Sequence, residues 1–375
     1  MSWGSVLLIV RIALDVTSCV KTKRRGIASY GWELAAALGR SGAEEEFLLV
    51  VRQNRWLRRG LVRDMLPGAR IRPCVDGFEW LTMRGIDVVH SIGARLPASA
   101  RFARVATIHD LNVFEFPEQA GDSWRVTRSR RIRQTVGRAD LIVALSGQGA
   151  DSLQEHLGIS RDRIRVVPHG VDAARFSAVD RSKIDEVLGR LGIAGGPFVL
   201  STGKFGMRKN QAGLLEAFAR AGLPPDWRLV LVGPRPGDLD PLRPGLSNLG
   251  LDVDRRVKTI AWIDDEDLPA VISGASIYAC PSLHEGFGMP VLEAQACGTP
   301  VIASNRGALP ETLGDVGLVF DPEDMDEFAS ALQRMVNDDD LRERCRKRGP
   351  ERVRSSYSWD RVARDMLAVY GEAKG

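Results

Sequence analysis

Two carboxylates, Glu285 and Glu293, bracket a glycine-rich turn in the run His284-Glu285-Gly286-Phe287-Gly288-Met289-Pro290-Val291-Leu292-Glu293. Pro290 suits the first position of a helix and Gly298 suits its stop. Glu285 then falls in the loop before that helix and Glu293 in its first turns. The backbone N–H groups of Phe287, Gly288 and Met289 would be free at the positive helix end, which is an anion site. A bare phosphate would be repelled by the carboxylates. A ligand with phosphates in the middle and hydroxyls at both ends resolves the conflict. A nucleotide-sugar has that layout: sugar hydroxyls for Glu285, diphosphate for the N–H groups, ribose hydroxyls for Glu293. Phe287 through Glu293, with Pro290, Val291 and Leu292 forming the first turn, would line the donor. The bland alternative is a loop whose glutamates cap helices or face water.

The flanks extend the pattern. Ser276-Ile277-Tyr278-Ala279-Cys280-Pro281-Ser282 precedes the run, and Ala294-Gln295-Ala296-Cys297-Gly298-Thr299-Pro300-Val301-Ile302-Ala303-Ser304 follows it. The whole stretch resembles the Glu-x7-Glu motif of retaining GT-B glycosyltransferases, family four. The resemblance implies an α/β chain of two doubly wound Rossmann-like domains facing a central cleft.

Further motifs carry the resemblance along the chain. Gly203-Lys204-Phe205-Gly206-Met207-Arg208-Lys209-Asn210 follows an apolar run and opens a helix. The family has a Gly-Arg turn here and a lysine about five positions later, both neutralising the donor diphosphate. Lys209 matches the lysine; Lys204 replaces the arginine, keeping the charge and losing the bidentate fork. His109, before Asp110 at the end of Val105-Ala106-Thr107-Ile108, matches a histidine beside the transferred sugar, while Asp110 reads as a helper or turn former. Lys23-Arg24-Arg25-Gly26-Ile27-Ala28-Ser29-Tyr30 resembles the family's glycine loop near the donor phosphate, with the single Gly26 permitting close backbone approach. The implied catalytic set is His109, Glu285, Lys204 and Lys209, with Gly26 and Gly203 at the donor. Ser146 reads as a helix N-cap, and Glu311 as structural.

The elements that must position these groups follow from alternating apolar strands and amphipathic helices. In the first half, strands are expected near Val6–Leu14, Phe47–Val51, Asp87–His90, Val105–His109, Leu141–Leu145 and Ile164–Val167. Helices are expected near Ile27–Leu38, Trp124–Val136 and Gly147–His156. The alternation restarts with strands near Phe198–Thr202, Leu229–Val232, Val257–Ala261, Ile277–Ala279, Val301–Ala303 and Leu318–Phe320. With 375 residues there is enough chain for two cores. The break follows Pro168-His169-Gly170-Val171-Asp172, giving an acceptor-binding domain over 1–172 and a donor-binding domain over 173–355. Residues 356–375 form a helix started by Ser358, which the resemblance returns to the first domain.

Charge and cysteine usage bound the setting. The net charge is +4, but residues 1–172 carry 26 Lys+Arg and 18 Asp+Glu, a local +8, and the remainder carries −4. A basic first domain suits a membrane surface, a diphosphate-linked acceptor or nucleic acid; no nucleic-acid recognition module accompanies it, so nucleic acid is not expected. The segment Arg52, Arg55, Trp56, Leu57, Arg58, Arg59, Leu61, Arg63 either rests on anionic lipid or is a solvated helix packed through Leu57 and Leu61. The Arg125–Arg133 cluster reads as a solvated face. The five scattered cysteines, with no CxxC pair, point to a reducing compartment. Val6–Val10 is too short to span a bilayer and lacks a basic lead. A cytoplasmic protein is expected, with the inner face of the membrane as a peripheral location.

The expected reaction moves a hexose from a nucleoside diphosphate sugar to a saccharide or polyprenyl-diphosphate-linked saccharide, by front-face displacement and with retention. GDP-mannose is favoured over UDP-glucose, on the likeness of Gly307–Asp321 to bacterial polysaccharide mannosyl- and glucosyltransferases. No cofactor and no metal are expected: the pairs Asp238/Asp240 and Asp252/Asp254 do not directly follow apolar strands. No GxGxxG follows the first strand, which disfavours a dinucleotide oxidoreductase. The alternatives are an epimerase or hydrolase on the same fold and a non-catalytic nucleotide-sugar-binding protein.

Overall fold

The computed structural model describes residues 10–22, 26–93, 95–117 and 121–375. Val6–Ile9 of the first expected strand, and Lys23, Arg24 and Arg25, lie outside the described residues. The chain divides into two compact units, Met1–Gly170 with Trp359–Gly375, and Val171–Ser358.

In the first unit, strands β1 (Arg11–Asp15), β2 (Glu46–Arg52), β3 (Arg70–Cys74), β4 (Val88–Ser91), β5 (Ala103–Ile108), β6 (Leu141–Ala144) and β7 (Ile164–Val166) make one sheet in the order 3-2-1-4-5-6-7. All pairings are parallel. The central strands are apolar without alternation because helices cover both faces. Strand β3 was not expected: its Arg-Ile-Arg-Pro-Cys run alternates charge with apolar side chains, and Pro73 is tolerated because β3 is an edge. The helices are α1 (Ile27–Arg40), the short α2 (Glu79–Thr82) and α3 (Asn112–Glu115), α4 (Asp122–Arg138) and α5 (Gly147–Leu157). Ser146 caps α5, accepting from the Gly149 N–H at 3.0 Å.

The basic segment after β2 differs from expectation. Gln53–Met65 winds as a 3-10 helix whose buried side chains are Val62 and Met65, while Leu57 is 94% exposed. Packing therefore runs through Val62 and Met65, not Leu57 and Leu61. Arg52 leaves the solvated set altogether: it is 2% exposed and pairs with Asp15 at 3.0 Å and Asp76 at 2.5 Å.

The second unit builds a six-stranded parallel sheet, order β10-β9-β8-β11-β12-β13. Its strands are β8 (Phe198–Thr202), β9 (Arg228–Val232), β10 (Val257–Ile260), β11 (Ile277–Cys280), β12 (Val301–Ser304) and β13 (Leu318–Phe320). Helices α6 (Arg181–Arg190), α7 (Gln211–Arg220), α8 (Arg243–Asn248), α9 (Val253–Arg256), α10 (Leu268–Gly274), α11 (Met289–Ala296), α12 (Leu309–Leu313), α13 (Met325–Asn337) and α14 (Asp339–Ser356) surround it. Helix α15 (Trp359–Lys374) belongs to the first unit and packs on α1. It buries Trp359, Val362, Ala363, Met366, Val369 and Tyr370, one stripe of a 3.6-residue period. His90 of β4 ties it down, bonding Tyr370 Oη and Thr107 Oγ1 at 2.8 Å each. All five cysteines are unpaired and buried. Among the described residues no helix is long and apolar enough to cross a membrane.

Candidate active site

In the second unit the loops after β8 and β11 meet at one carboxylate. Met207–Lys209 forms a 3-10 turn after β8, and Asn210, in the left-handed region, caps α7 through the Gly213 N–H at 3.2 Å. The turn brings Lys209 Nζ to 2.5 Å from Glu285 Oε1 and Arg208 Nη1 to 3.1 Å from the same oxygen. Ser282 Oγ donates to Glu285 Oε1 at 2.8 Å. Arg208 also donates to the His284 carbonyl at 2.9 Å, and its own carbonyl accepts from the Leu283 N–H at 2.8 Å. Burial alone would raise the Glu285 carboxyl. Lys209 and Arg208 outweigh it and hold the group below the ordinary carboxylate value. Two cations thus face one carboxylate.

Two glycines let these loops approach. A Cβ on Gly307, at φ +60°, would stand 2.5 Å from the Glu285 carbonyl oxygen; the Ala308 N–H instead donates to that oxygen at 3.0 Å. Gly203 adopts φ +135°, and a Cβ there would press on the Lys209 side chain at 3.2 Å.

Helix α11 starts one residue earlier than expected. Gly288, at φ +94°, is its N-cap, Met289 its first residue and Pro290 its second. The Gly288 and Met289 N–H groups donate to no protein acceptor among the described residues. The Phe287 carbonyl accepts from Thr312 Oγ1. Val291 and Leu292 are buried in the first turns of the helix. Glu293 follows on the same helix. Burial pushes its carboxyl up to about 7, against the pull of Arg175 and Lys209 and with a smaller push from Asp265. Arg175 is held by the Asp265 carbonyl at 2.8 Å.

Lys204 is exposed and makes no ion pair to Glu285, so the structure brings together Lys209, Glu285 and Glu293's helix, and leaves Lys204 apart from that knot. The Asp-x-Asp pairs have structural partners. Asp240 and Asp254 hold Arg243 at 3.2 and 2.8 Å, Asp238 accepts from the Arg235 N–H, and Asp252 caps α9.

In the first unit, His109 follows β5. Its Nε2 lies 2.9 Å from the Ile92 carbonyl oxygen, so Nε2 carries the proton. Burial lowers its pKa to about 4, opposed by that bond, and the ring is neutral with Nδ1 as a free lone pair. Tyr30 of α1 packs edge-on, ring centroids 4.8 Å apart. Asp110 accepts from the Asn112 N–H at 3.3 Å, the turn role, and pairs with Arg128 at 3.5 Å. Gly26 is the N-cap of α1 at φ +54° with open space at its Cβ position; positive φ, rather than crowding, is what calls for glycine.

Arg208, Ser282, Arg175 and Gly307 were not singled out from the sequence as site residues. Arg208 sits beside Lys209 in the same basic turn, and Ser282 lies three residues before Glu285. Arg175 and Gly307 carry no local signal.

The family description Glycosyl transferases group 1 matches residues 184–352, and Glycosyltransferase Family 4 matches residues 23–175. The chain is 30% identical over 270 residues to O-antigen chain mannosyltransferase B of Escherichia coli, covering 71% of this chain and 69% of that one. It is also 30% identical over 356 residues to D-inositol 3-phosphate glycosyltransferase of Corynebacterium jeikeium, covering 84% of each. The solved sucrose-phosphate synthase of Thermosynechococcus elongatus superposes with TM-score 0.72 at 23% identity, over 97% of this chain and 98% of that one. Two parallel-sheet Rossmann-like units and these likenesses place the chain in glycosyltransferase family 4, with the GT-B fold.

Proposed function

We propose that this glycosyltransferase moves a hexose, mannose before glucose, from a nucleoside diphosphate sugar to a saccharide or polyprenyl-diphosphate-linked saccharide in glycan assembly, with retention and without a metal. The observation that carries the donor reading is the Lys209–Arg208–Glu285 knot beside the N-terminus of α11. Two cations and two free N–H groups supply charge stabilisation where a departing diphosphate would gain it. Residues 1–172 would bind acceptor, 173–355 donor, and 356–375 would complete the first unit. The Escherichia coli relative, a mannosyltransferase by name, favours mannose.

In the displacement, the anomeric C–O bond to the diphosphate breaks as the acceptor oxygen forms its bond on the same face. The acceptor proton passes to the departing diphosphate oxygen. Lys209 and Arg208 stabilise that leaving group, Glu285 accepts hydrogen bonds from the sugar, and Glu293 accepts them from the ribose. Lys204 adds a long-range charge. His109 Nδ1, as a neutral acceptor, takes a hydrogen bond from a sugar hydroxyl. A cytoplasmic setting, at the inner face of the membrane for a lipid-linked acceptor, fits the basic first unit.

Thermal unfolding with GDP, UDP, ADP and dTDP tests the donor site. A specific ligand at a hundredfold excess adds about 2.7 kcal/mol. A shift with GDP alone supports the mannose reading, a shift with UDP alone moves it to glucose, and no shift with any diphosphate defeats it. The anomeric configuration of the product, read by NMR, decides retention.

A further inference from the structure

The first unit holds a cavity of about 510 Å³ that the donor chemistry does not use. It opens between the turn after β3, which includes Asp76 and Gly77, and one face of α4. Thr127, Arg130, Arg131, Gln134 and Arg138 recur on that face at helical spacing. Arg52 at the end of β2 and Arg95 after β4 complete the wall. Arg52, Asp76 and Arg95 stand at or just beyond the carboxyl ends of β2, β3 and β4, the edge of the sheet where ligands bind in open α/β folds. His109 ends β5 on the same edge, and Asp110 next to it holds Arg128 of α4.

Five arginines line this cavity against two carboxylates, Asp76 and Glu79. The carboxylates are already engaged. Asp76 pairs with Arg52 at 2.5 Å and Arg95 at 3.1 Å. Glu79 is 4% exposed and accepts from the Gly77 and Ala98 N–H groups at 3.0 and 3.3 Å. Arg138 donates to the Leu96 carbonyl at 3.1 Å. The guanidinium groups of Arg130 and Arg131 make neither a hydrogen bond nor an ion pair among the described residues; the Arg131 backbone carbonyl accepts from Thr135 Oγ1 at 2.9 Å. Burial and the like charges of Arg95, Arg128 and Arg52 lower the Arg131 pKa, so this cluster has more cation than counter-ion. Val126, which lines the cavity, is 59% exposed, and Phe78, Trp80 and Leu81, next in sequence to the lining residues Gly77 and Glu79, are 57%, 50% and 58% exposed.

We infer that this cavity binds the phosphate or diphosphate ester group of the acceptor, with Arg130 and Arg131 as its open donors. The inference rests on the transferase reading for the word acceptor; the anion site itself stands on the cavity alone. An arginine fork matches phosphate oxygens in pairs. The exposed apolar side chains of Val126 in the lining and of Phe78, Trp80 and Leu81 beside it in sequence suit a lipid chain attached to that group.

The test compares the full chain with an Arg130→Gln/Arg131→Gln variant and, separately, Lys209→Ala. Each is titrated with inorganic pyrophosphate, and with neutral phosphatidylcholine vesicles with and without a polyprenyl diphosphate. The double variant should lose about tenfold or more in affinity for the diphosphate group, while its stabilisation by nucleoside diphosphate stays intact. Lys209→Ala should show the opposite pattern. Vesicle binding that depends on both the polyprenyl diphosphate and the arginines assigns the group to a lipid. Arginine-dependent pyrophosphate binding without vesicle capture supports the same site with a soluble phosphorylated acceptor. Pyrophosphate and vesicle affinities unchanged in the double variant overturn the inference. Failure of every nucleoside diphosphate to stabilise the protein, with arginine-dependent pyrophosphate binding retained, would strike the donor reading and leave the cavity.

Discussion

Replacing Glu293 with glutamine exposes what its burial costs. In the fold its carboxyl sits at about 7, against an ordinary 4.5. Between those values the native protein holds a proton that the unfolded chain has released, so stability falls as pH rises through the window. At about 1.4 kcal/mol per pH unit the full cost, reached above pH 7, has a ceiling of about 3 kcal/mol. Glutamine resembles the protonated acid and does not titrate. The variant should match the parent below about pH 4.5 and exceed it near pH 8.5, by roughly 6–12 °C at that ceiling for a unit of this size. Donor binding should move the other way. The ionised carboxylate accepts ribose hydroxyls, so binding releases a proton near neutrality and tightens by up to about tenfold per unit as pH rises towards 7. In Glu293→Gln it should be flat with pH and about 10- to 150-fold weaker at pH 8, the loss of one charged hydrogen bond of about 1.5–3 kcal/mol. Scanning calorimetry across pH and titration calorimetry in buffers of different ionisation enthalpy read both effects. Identical pH–stability profiles for parent and variant would refute the burial argument, and unchanged nucleotide affinity would refute the ribose role.

Other perturbations follow from the same contacts. Glu285→Gln frees Lys209 and Arg208 from their carboxylate, so nucleoside diphosphate should bind at least as tightly while transfer collapses; parallel losses in binding and turnover would contradict a sugar-facing Glu285. Gly307→Ala forces a Cβ against the Glu285 carbonyl at a positive φ, and should cost about 1–3 kcal/mol together with activity; wild-type turnover in that variant would show that the loop gives way. Arg52→Ala leaves Asp15 buried without its partner and should destabilise by about 3–5 kcal/mol, whereas Arg58→Ala should leave the melting temperature within error.

Much of this was legible in the sequence because the signals are local. Phe198–Thr202 coincides with its strand, since buried parallel strands read as unbroken aliphatic runs, and the apolar Leu318–Phe320 coincides with the edge strand β13. The Glu285–Glu293 spacing set the loop and helix start to within a residue. Strand β3 stayed hidden because two of its five residues are arginine and one is proline. Arg208 escaped because its partner Glu285 lies far along the chain, and Arg175 because only the fold brings it under Glu293. Leu57 misled: an apolar residue in a basic segment suggests packing, yet the 3-10 winding turned Val62 inward instead. The unpaired Arg130 and Arg131 looked like a solvated face because no periodicity reveals that the wall opposite is also arginine.

The bond between His90 and Tyr370 spans 280 positions, and it sets a timetable. The first unit is finished only when helix α15, made long after Gly170, joins it. At about 5–20 residues per second, the stretch between Gly170 and that helix keeps the nascent first unit waiting for roughly 10–40 s. Through that interval the surface that Trp359, Met366 and Tyr370 will cover is bare. The second unit, Val171–Ser358, is synthesised in full before α15, so it is complete in the nascent chain while the first unit is not. A stop before Trp359 would therefore strike the half of the enzyme made earliest, by removing the helix that covers α1.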